Sequence, residues 1–184
     1  QHKFGVNQRK KLSDKGGPDC DILLMTATPI PRTLTMTIYG DMDISIIREK
    51  PKNRKPIKTY SKLESKIDDI LKFISKEINL GNQIFWVCPL IEESKKLDHS
   101  SAIKKFEFLK KKYPNQVGLL HGKTDIDEKE KILNDFLNKK FQILVSTTII
   151  EVGIDFPNAN VIIIENANKF GLSQLHQLRG RVGR

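Results

Sequence analysis

Cysteine is scarce in this sequence of 184 residues, with only Cys20 and Cys88 present. They stand far apart, in no CxxC or Cys/His metal spacing, which excludes a disulfide framework or a zinc ribbon as the organising device. Both read as small apolar residues of a reducing compartment, with neither a disulfide nor a metal site expected. Long apolar runs are missing too. Stretches such as Val161 to Ile164 fall far short of the roughly 20 residues that cross a bilayer, and the opening residues carry no signal-peptide pattern. No membrane partner and a cytoplasmic location are therefore expected. Blocks of like charge are absent as well: Lys10-Lys11, Lys50 to Lys58, Lys104-Lys105 and Lys110 to Lys112 are interspersed with acids, so no basic arm is visible. Neither solenoid-period repeats nor low-complexity tracts occur.

What is present suits a folded protein. The length allows one ordinary core plus a fragment of another. A hydrophobic share of 38% with 7% aromatics is too high for a disordered tail. The net charge of +10 would attract a polyanion through counterion release. A lysine-rich solvated surface accounts for that charge equally well.

Along the chain, Gln1 to Gly17 is polar and basic, and Asp21 to Met25 reads as a short buried strand. Thr26-Ala27-Thr28-Pro29-Ile30-Pro31 interrupts regular pairing, and Arg32 to Tyr39 has a short helical pattern. The stretch around 51–56 is charged, proline-bearing and aperiodic, which marks a linker. Beyond it the pattern predicts strand Ile57 to Tyr60, helix Glu64 to Ile78, strand Gln83 to Cys88, helix Ser101 to Lys112 and strand Gln116 to Leu120. It continues with helix Asp127 to Asn138, strand Phe141 to Ser146, strand Asn160 to Ile164 and a helix from about Ser173. Apolar strands alternating with amphipathic helices predict an α/β fold, a doubly wound parallel sheet covered on both faces. Ligands of such sheets gather at the carboxyl ends of the strands.

Gly118-Leu119-Leu120-His121-Gly122-Lys123-Thr124 sits where a Walker A loop would, after a strand and before a helix. The spacing is wrong. Four residues must separate the glycines for successive N–H groups to curl around phosphates, whereas three do here and Val117 holds the glycine position. The stretch reads as a strand end turning into a helix, with Asp125 or Asp127 as N-cap. His121 and Gly122 remain candidates, because an exposed turn at a helix start can offer backbone N–H groups to a nucleic-acid phosphate.

The strongest local signal is Gln174 to Arg184. Arg181 and Arg184 are spaced to share one side of a helix or turn, Gly180 and Gly183 permit close backbone approach, and each guanidinium can bind two phosphate oxygens. That arrangement suits stabilising charge on a transferring phosphoryl group. Upstream, Thr147 and Thr148 directly follow a strand and can reach a phosphate, and Gly153 lets the Asp155 carboxylate approach a ribose or an arginine.

These stretches together resemble the motor core of superfamily 2 helicases. Thr26 to Thr28 is similar to motif III, Ile84 to Pro89 to motif IV, Leu119 to Gly122 to the phosphate-contacting turn after it, Val145 to Asp155 to motif V, and Gln177 to Arg184 to motif VI. Within that superfamily, Thr26 to Leu34 resembles both the RecG family and the transcription-repair coupling factor. Tyr39 to Asp43, Asn53 to Ile57 and Cys88 to Ser94 resemble the RecG family alone.

The resemblance implies a RecA-like fold, with the end of a first motor domain over 1–50, a linker over 51–56 and a second motor domain over 57–184 that stops at motif VI. It implies a monomeric, ATP- and magnesium-dependent translocase on DNA that remodels forks, Holliday junctions and other branched duplexes, with single-strand-binding protein among its contacts. Carried over by position, Arg181, Arg184 and Gln177 would act on the ATP phosphates, and Gly153 and Asp155 at the nucleotide edge. Thr147, Thr148, His121 and Gly122 would face the DNA backbone, while Thr26, Thr28 and Arg32 would couple nucleotide state to domain movement. These 184 residues hold neither a Walker A lysine nor the paired acids of motif II, so no ATP turnover is expected from them alone. Two rival readings stay open: a non-catalytic DNA-binding module resting on the positive charge, and a small P-loop kinase using Lys123 and Thr124.

Overall fold

The structure, a computed structural model, describes residues 11, 14–16, 21, 23, 25, 45–47, 49, 54, 56–89, 97–147 and 156–183. The chain divides into two compact units, 1–48 and 49–184. In the first, the strand expected from Asp21 to Met25 is not found at its described positions. Asp21, Leu23 and Met25 lie in no strand, and Leu23 and Met25 are 83% and 75% exposed. Ile22 and Leu24, the other residues of that run, lie outside the described residues.

The second unit follows the predicted alternation closely. A 3-10 turn at Glu64–Lys66 leads into α1 (Ile67–Asn79), followed by β1 (Gln83–Val87), α2 (Leu97–Lys112), β2 (Val117–Leu120), α3 (Ile126–Leu137), β3 (Ile143–Ser146), β4 (Ala159–Ile164), a second 3-10 turn and α4 (Leu172–Arg179). α1 forms because Ile67, Ile70, Leu71, Ile74 and Ile78 recur at helical spacing on one face, with Asp68 and Asp69 in its first turn to match the helix dipole. It ends in a Schellman turn. Gly81, at φ +79°, lets its own N–H reach the Ile78 carbonyl at 2.8 Å and that of Asn82 reach Glu77 at 3.0 Å.

All four strands run parallel in the order β2-β3-β1-β4. The central pair is buried throughout, whereas β2 and β4 are mostly half-buried, as edge strands are. Alternate residues feed two cores. On one face Ile84, Trp86, Ile143 and Val145 pack with Leu71 and Ile74 of α1 and Ala102 and Leu109 of α2. The Tyr113 hydroxyl then ties the two helices together by donating to the Leu71 carbonyl at 2.8 Å. On the other face Phe85, Leu120 and Leu144 pack with Leu133 and Phe136 of α3 and with Phe156 and Val182. The rings of Phe85, Phe136 and Phe156 lie at centroid separations of 5.3 to 5.5 Å, in tilted and edge-on contacts. A bulge in β4 explains one departure from alternation. Gln83 pairs with Ala159 but Ile84 with Val161, so Ala159 joins the second core while Val161 and Ile163 face the first.

The strand expected over Ile57 to Tyr60 is irregular instead. Only Ile57 finds apolar partners, in the second core, while Lys58, Thr59 and Tyr60 are exposed. With one anchor and no pairing strand among the described residues, the short alternation does not make a ladder.

Topology defines where a ligand fits. From β1 the chain leaves toward β2 on one side, and from β3 it leaves toward β4 on the other. The adjacent carboxyl ends of β1 and β3 are therefore the switch point of the sheet, the position at which such sheets bind their ligands.

Gly118 lies inside β2, opposite Leu144, and a Cβ there would overlap the Phe141 ring. Gly118→Ala should therefore destabilise the fold by about 1 to 3 kcal/mol through overpacking, read as a lower denaturant midpoint. The same substitution in a Phe141→Leu background should cost less.

Candidate functional site

Two groups of predicted residues fall within the described chain, each held by its own elements. The first lies at the carboxyl ends of β2 and β3. His121 follows β2 directly and opens a tight turn. Its N–H donates to Thr124 Oγ1 at 3.1 Å, Nδ1 meets the same hydroxyl at 3.1 Å, and the Thr124 N–H returns to the His121 carbonyl at 3.0 Å. When Thr124 donates to Nδ1, the imidazole proton resides on Nε2. Gly122 and Lys123 are exposed at the tip, and nothing lies within 4 Å of where a Gly122 Cβ would stand, so the backbone there is open to close approach. Asp125 takes the N-cap position of α3, but its side chain makes no capping hydrogen bond. Asp127 and Glu128 occupy the first turn of that helix. Their charge opposes an anion on the helix axis, so a phosphate would approach from the Gly122-Lys123 side.

This geometry also disposes of the Walker A lookalike. Gly118 is a packing glycine within a strand, and the Thr124 hydroxyl is committed to His121.

Thr147 stands just past the end of β3, and its N–H donates to the Leu120 carbonyl at 3.3 Å, which sets it beside the residue preceding His121. It is 3% exposed, and among the described residues its Oγ1 has no hydrogen-bond partner. Among the described residues, Trp86 Nε1 and Gln116 Oε1 share that condition. A buried hydroxyl without a partner costs free energy, which a ligand oxygen would recover. Thr148, Gly153, Asp155 and Arg184 lie outside the described residues, as do Thr26, Thr28 and Arg32.

The second group is carried by α4 and the turn after it. Leu178 and Val182 are buried, and between and before them Gln177 and Arg181 are half-buried. The Arg181 N–H closes the turn onto the Leu178 carbonyl at 3.0 Å. Gly183 has φ +72°, a left-handed conformation that favours glycine. Apolar anchors thus alternate with the polar residues that would meet a nucleotide.

One cluster was not anticipated from the sequence. Cys88, buried at the end of β1, donates its thiol to Glu165 Oε2 at 3.6 Å, and Glu165 pairs with Lys105 of α2 at 2.6 Å. The Lys105 ammonium also lies 5.1 Å from the Trp86 ring centroid and 5.4 Å from that of Phe108. Burial, then the Glu165 charge and hydrogen bond, pushes the thiol up from 9.0 to about 12. No sequence spacing links these residues, since strand, helix and strand end meet only in the fold. Among the described residues, no three His, Cys, Asp or Glu side chains gather as a metal cluster. No helix among them is long and apolar enough to cross a membrane.

A parallel sheet with helices packed on both faces defines an α/β domain of the doubly wound class. The chain matches the helicase conserved C-terminal domain over residues 65–184 and belongs to that family. Over its whole length it is similar to proteins named ATP-dependent DNA helicase RecG, at 53% identity in Bacillus subtilis (strain 168) and 52% in Aquifex aeolicus (strain VF5). It spans about a quarter of the length of those curated relatives, 27% and 23% respectively. A solved structure of RecG bound to a three-way DNA junction matches with TM-score 0.72 at 42% identity, covering 100% of this chain and 23% of that one. Yeast Dbp5 bound to RNA and ADP BeF3 matches with TM-score 0.63 at 20% identity, covering 97% of this chain and 46% of that one, a likeness of fold alone. The second unit is therefore RecA-like, and the resemblance to the RecG family holds.

The raised thiol gives a signed expectation. The folded state favours the neutral thiol, so Cys88 contributes stability that is intact below about pH 9 and is lost as pH rises toward about 12. In a Cys20→Ser background, the native protein should resist alkylation of Cys88 at mildly alkaline pH while the urea-unfolded chain reacts. Cys88→Ala should flatten the alkaline decline of the melting temperature.

Proposed function

We propose that this chain is the second half of a DNA translocase motor of the RecG type, which remodels forks and branched duplexes by ATP hydrolysis. The reading rests above all on the buried, unpartnered hydroxyl of Thr147 at the β3 end, beside the exposed His121-Thr124 turn. Thr147 and Thr148, with the Gly122 backbone and His121, would hold successive phosphates of one DNA strand, each by short polar contacts that carry no sequence information. The similarity to RecG proteins supports DNA as the partner, and the net charge of +10 favours it. Monomeric action in the cytoplasm and a contact with single-strand-binding protein belong to the same proposal.

ATP bound to the motor would supply the phosphoryl transfer that drives movement. Arg181, on a turn pinned by Leu178 and Val182, would offer a guanidinium to developing phosphate charge, with Gln177 acting alongside, and that chemistry suits such a nucleotide. Arg184 would join it beyond Gly183, and Gly153 and Asp155 would line the nucleotide edge. Magnesium ligands would come from outside this chain's described residues. In this proposal 1–50 is the end of a first motor domain, 51–56 the linker and 57–184 the second domain. Thr26, Thr28 and Arg32 would pass the nucleotide state to the domain movement. The 184 residues alone turn over no ATP, for want of a Walker A lysine and paired motif II acids.

Thr147→Val separates function from stability. It removes the hydroxyl while keeping the shape, so the melting temperature should hold or rise, yet DNA affinity of the full-length protein should fall by roughly tenfold. Unchanged affinity for duplex and branched DNA would defeat the assignment of Thr147. In the same protein, Arg181→Ala or Arg184→Ala should cut DNA-stimulated ATP turnover by about 10³-fold. Near-normal rates in both variants would remove the finger role.

A further inference from the structure

The turn that carries Arg181 is held from an unexpected direction. The Gly180 carbonyl accepts a hydrogen bond from Arg54 Nη2 at 3.1 Å, across 126 positions of sequence. Gly180 is the C-cap residue of α4, and its carbonyl lies at the negative end of that helix, where a cationic donor is favoured. Three residues after Arg54, Ile57 packs against the second core, to which Val182 belongs. The stretch 54–57 therefore grips the same turn twice, once through a charged hydrogen bond before Arg181 and once through the core that anchors Val182 after it. Pro56 stiffens the connection, because its ring fixes its own φ.

The bond itself is exposed, and an exposed bond contributes little to folding, so stability gives Arg54 a weak reason to be there. Orientation gives it a stronger one. A guanidinium that must meet developing charge on a phosphoryl group needs its backbone fixed, since a displacement of about 1 Å can cost on the order of 100-fold in rate.

We infer that Arg54 is a positioning residue for the Arg181 turn: by fixing the Gly180 carbonyl it sets the orientation in which Arg181 is presented to the nucleotide phosphates. The inference rests on the reading of Arg181 as a phosphate-binding finger. Arg54 touches no reacting atom; it acts through the turn. The chain enters the second unit through this stretch, so the finger's orientation is tied to the segment that follows residue 48.

The test is a double-mutant cycle on ATP turnover by the full-length protein with saturating DNA, using Arg54→Ala, Arg54→Lys, Arg181→Lys and the Arg54→Ala/Arg181→Lys pair. Arg54→Ala should lower kcat by roughly tenfold with KM for ATP nearly unchanged, because an interaction made in the transition state is weakened. Arg54→Lys should restore most of the rate, since an ammonium still donates to the carbonyl. With Arg181→Lys already in place, Arg54→Ala should cost less than about twofold further, because residues acting as a unit are not additive. The melting temperature of Arg54→Ala should stay close to that of the parent protein. A kcat within twofold of the parent, or an equal fold-loss in both Arg181 backgrounds, overturns the positioning role even if Arg181→Lys itself is slow. Should Arg181→Lys and Arg181→Ala both turn over ATP normally, the finger reading fails first and takes the inference with it.

Discussion

Parallel pairing of β1 with β3 at the centre of the sheet is the constraint on which the rest of the second unit depends. Ile84, Phe85, Trp86 and Val87 align with Ile143, Leu144, Val145 and Ser146, and all eight are buried. Strands covered on both faces need helices on both faces, and only long crossovers can bring parallel strands together. Both strands deliver their carboxyl ends to the same edge, the edge at which ligands of parallel sheets generally bind. Cys88 and Thr147, the residues immediately past each strand, are both buried there.

The two cores have different second uses. The face bearing α1 and α2 ends in the Cys88-Glu165-Lys105 chain, which joins the end of β1, the residue after β4 and a helix through one polar path. The opposite face does more for chemistry. Val182, Phe156 and Ile57 come from three separate parts of the sequence and join one apolar cluster with Phe85. Val182 lies next to Arg181, Phe156 follows Asp155, and Ile57 follows the stretch with Arg54. One apolar cluster thus anchors the chain directly after Arg181 and three residues after Arg54.

Much of this was legible in the sequence, for reasons that differ by element. The helices were, because a 3.6-residue apolar period such as that from Ile67 to Ile78 reports burial on one face whatever the helix packs against. The central strands were, because runs such as Ile84 to Val87 are apolar at every position, which only a sheet covered twice tolerates. Two short stretches misled. Asp21 to Met25 and Ile57 to Tyr60 have strand-like composition, but a strand is a property of a pair, and composition does not supply the partner. The motifs carried the resemblance to the RecG family because phosphate chemistry fixes residue type and spacing locally, as in Gln177 to Arg184. Gly118 shows the converse: it was set aside as a phosphate glycine by spacing alone, and the Phe141 ring supplies its structural reason.

By itself, the sequence determined the alternation of strands and helices, the sheet's parallel character and the order of the loops that carry Thr147, His121 and Arg181. Those are local properties, set by apolar period, turn chemistry and the spacing of polar groups within a few residues. Tertiary structure alone decided which residues far apart in sequence would meet. It brought Arg54 to the Gly180 carbonyl, Cys88 to Glu165 and Lys105, and Thr147 to a buried position with its hydroxyl unpartnered. Long-range pairing depends on strand order, and the order β2-β3-β1-β4 is not written in any one segment but follows from how crossovers of this handedness pack both faces of one sheet.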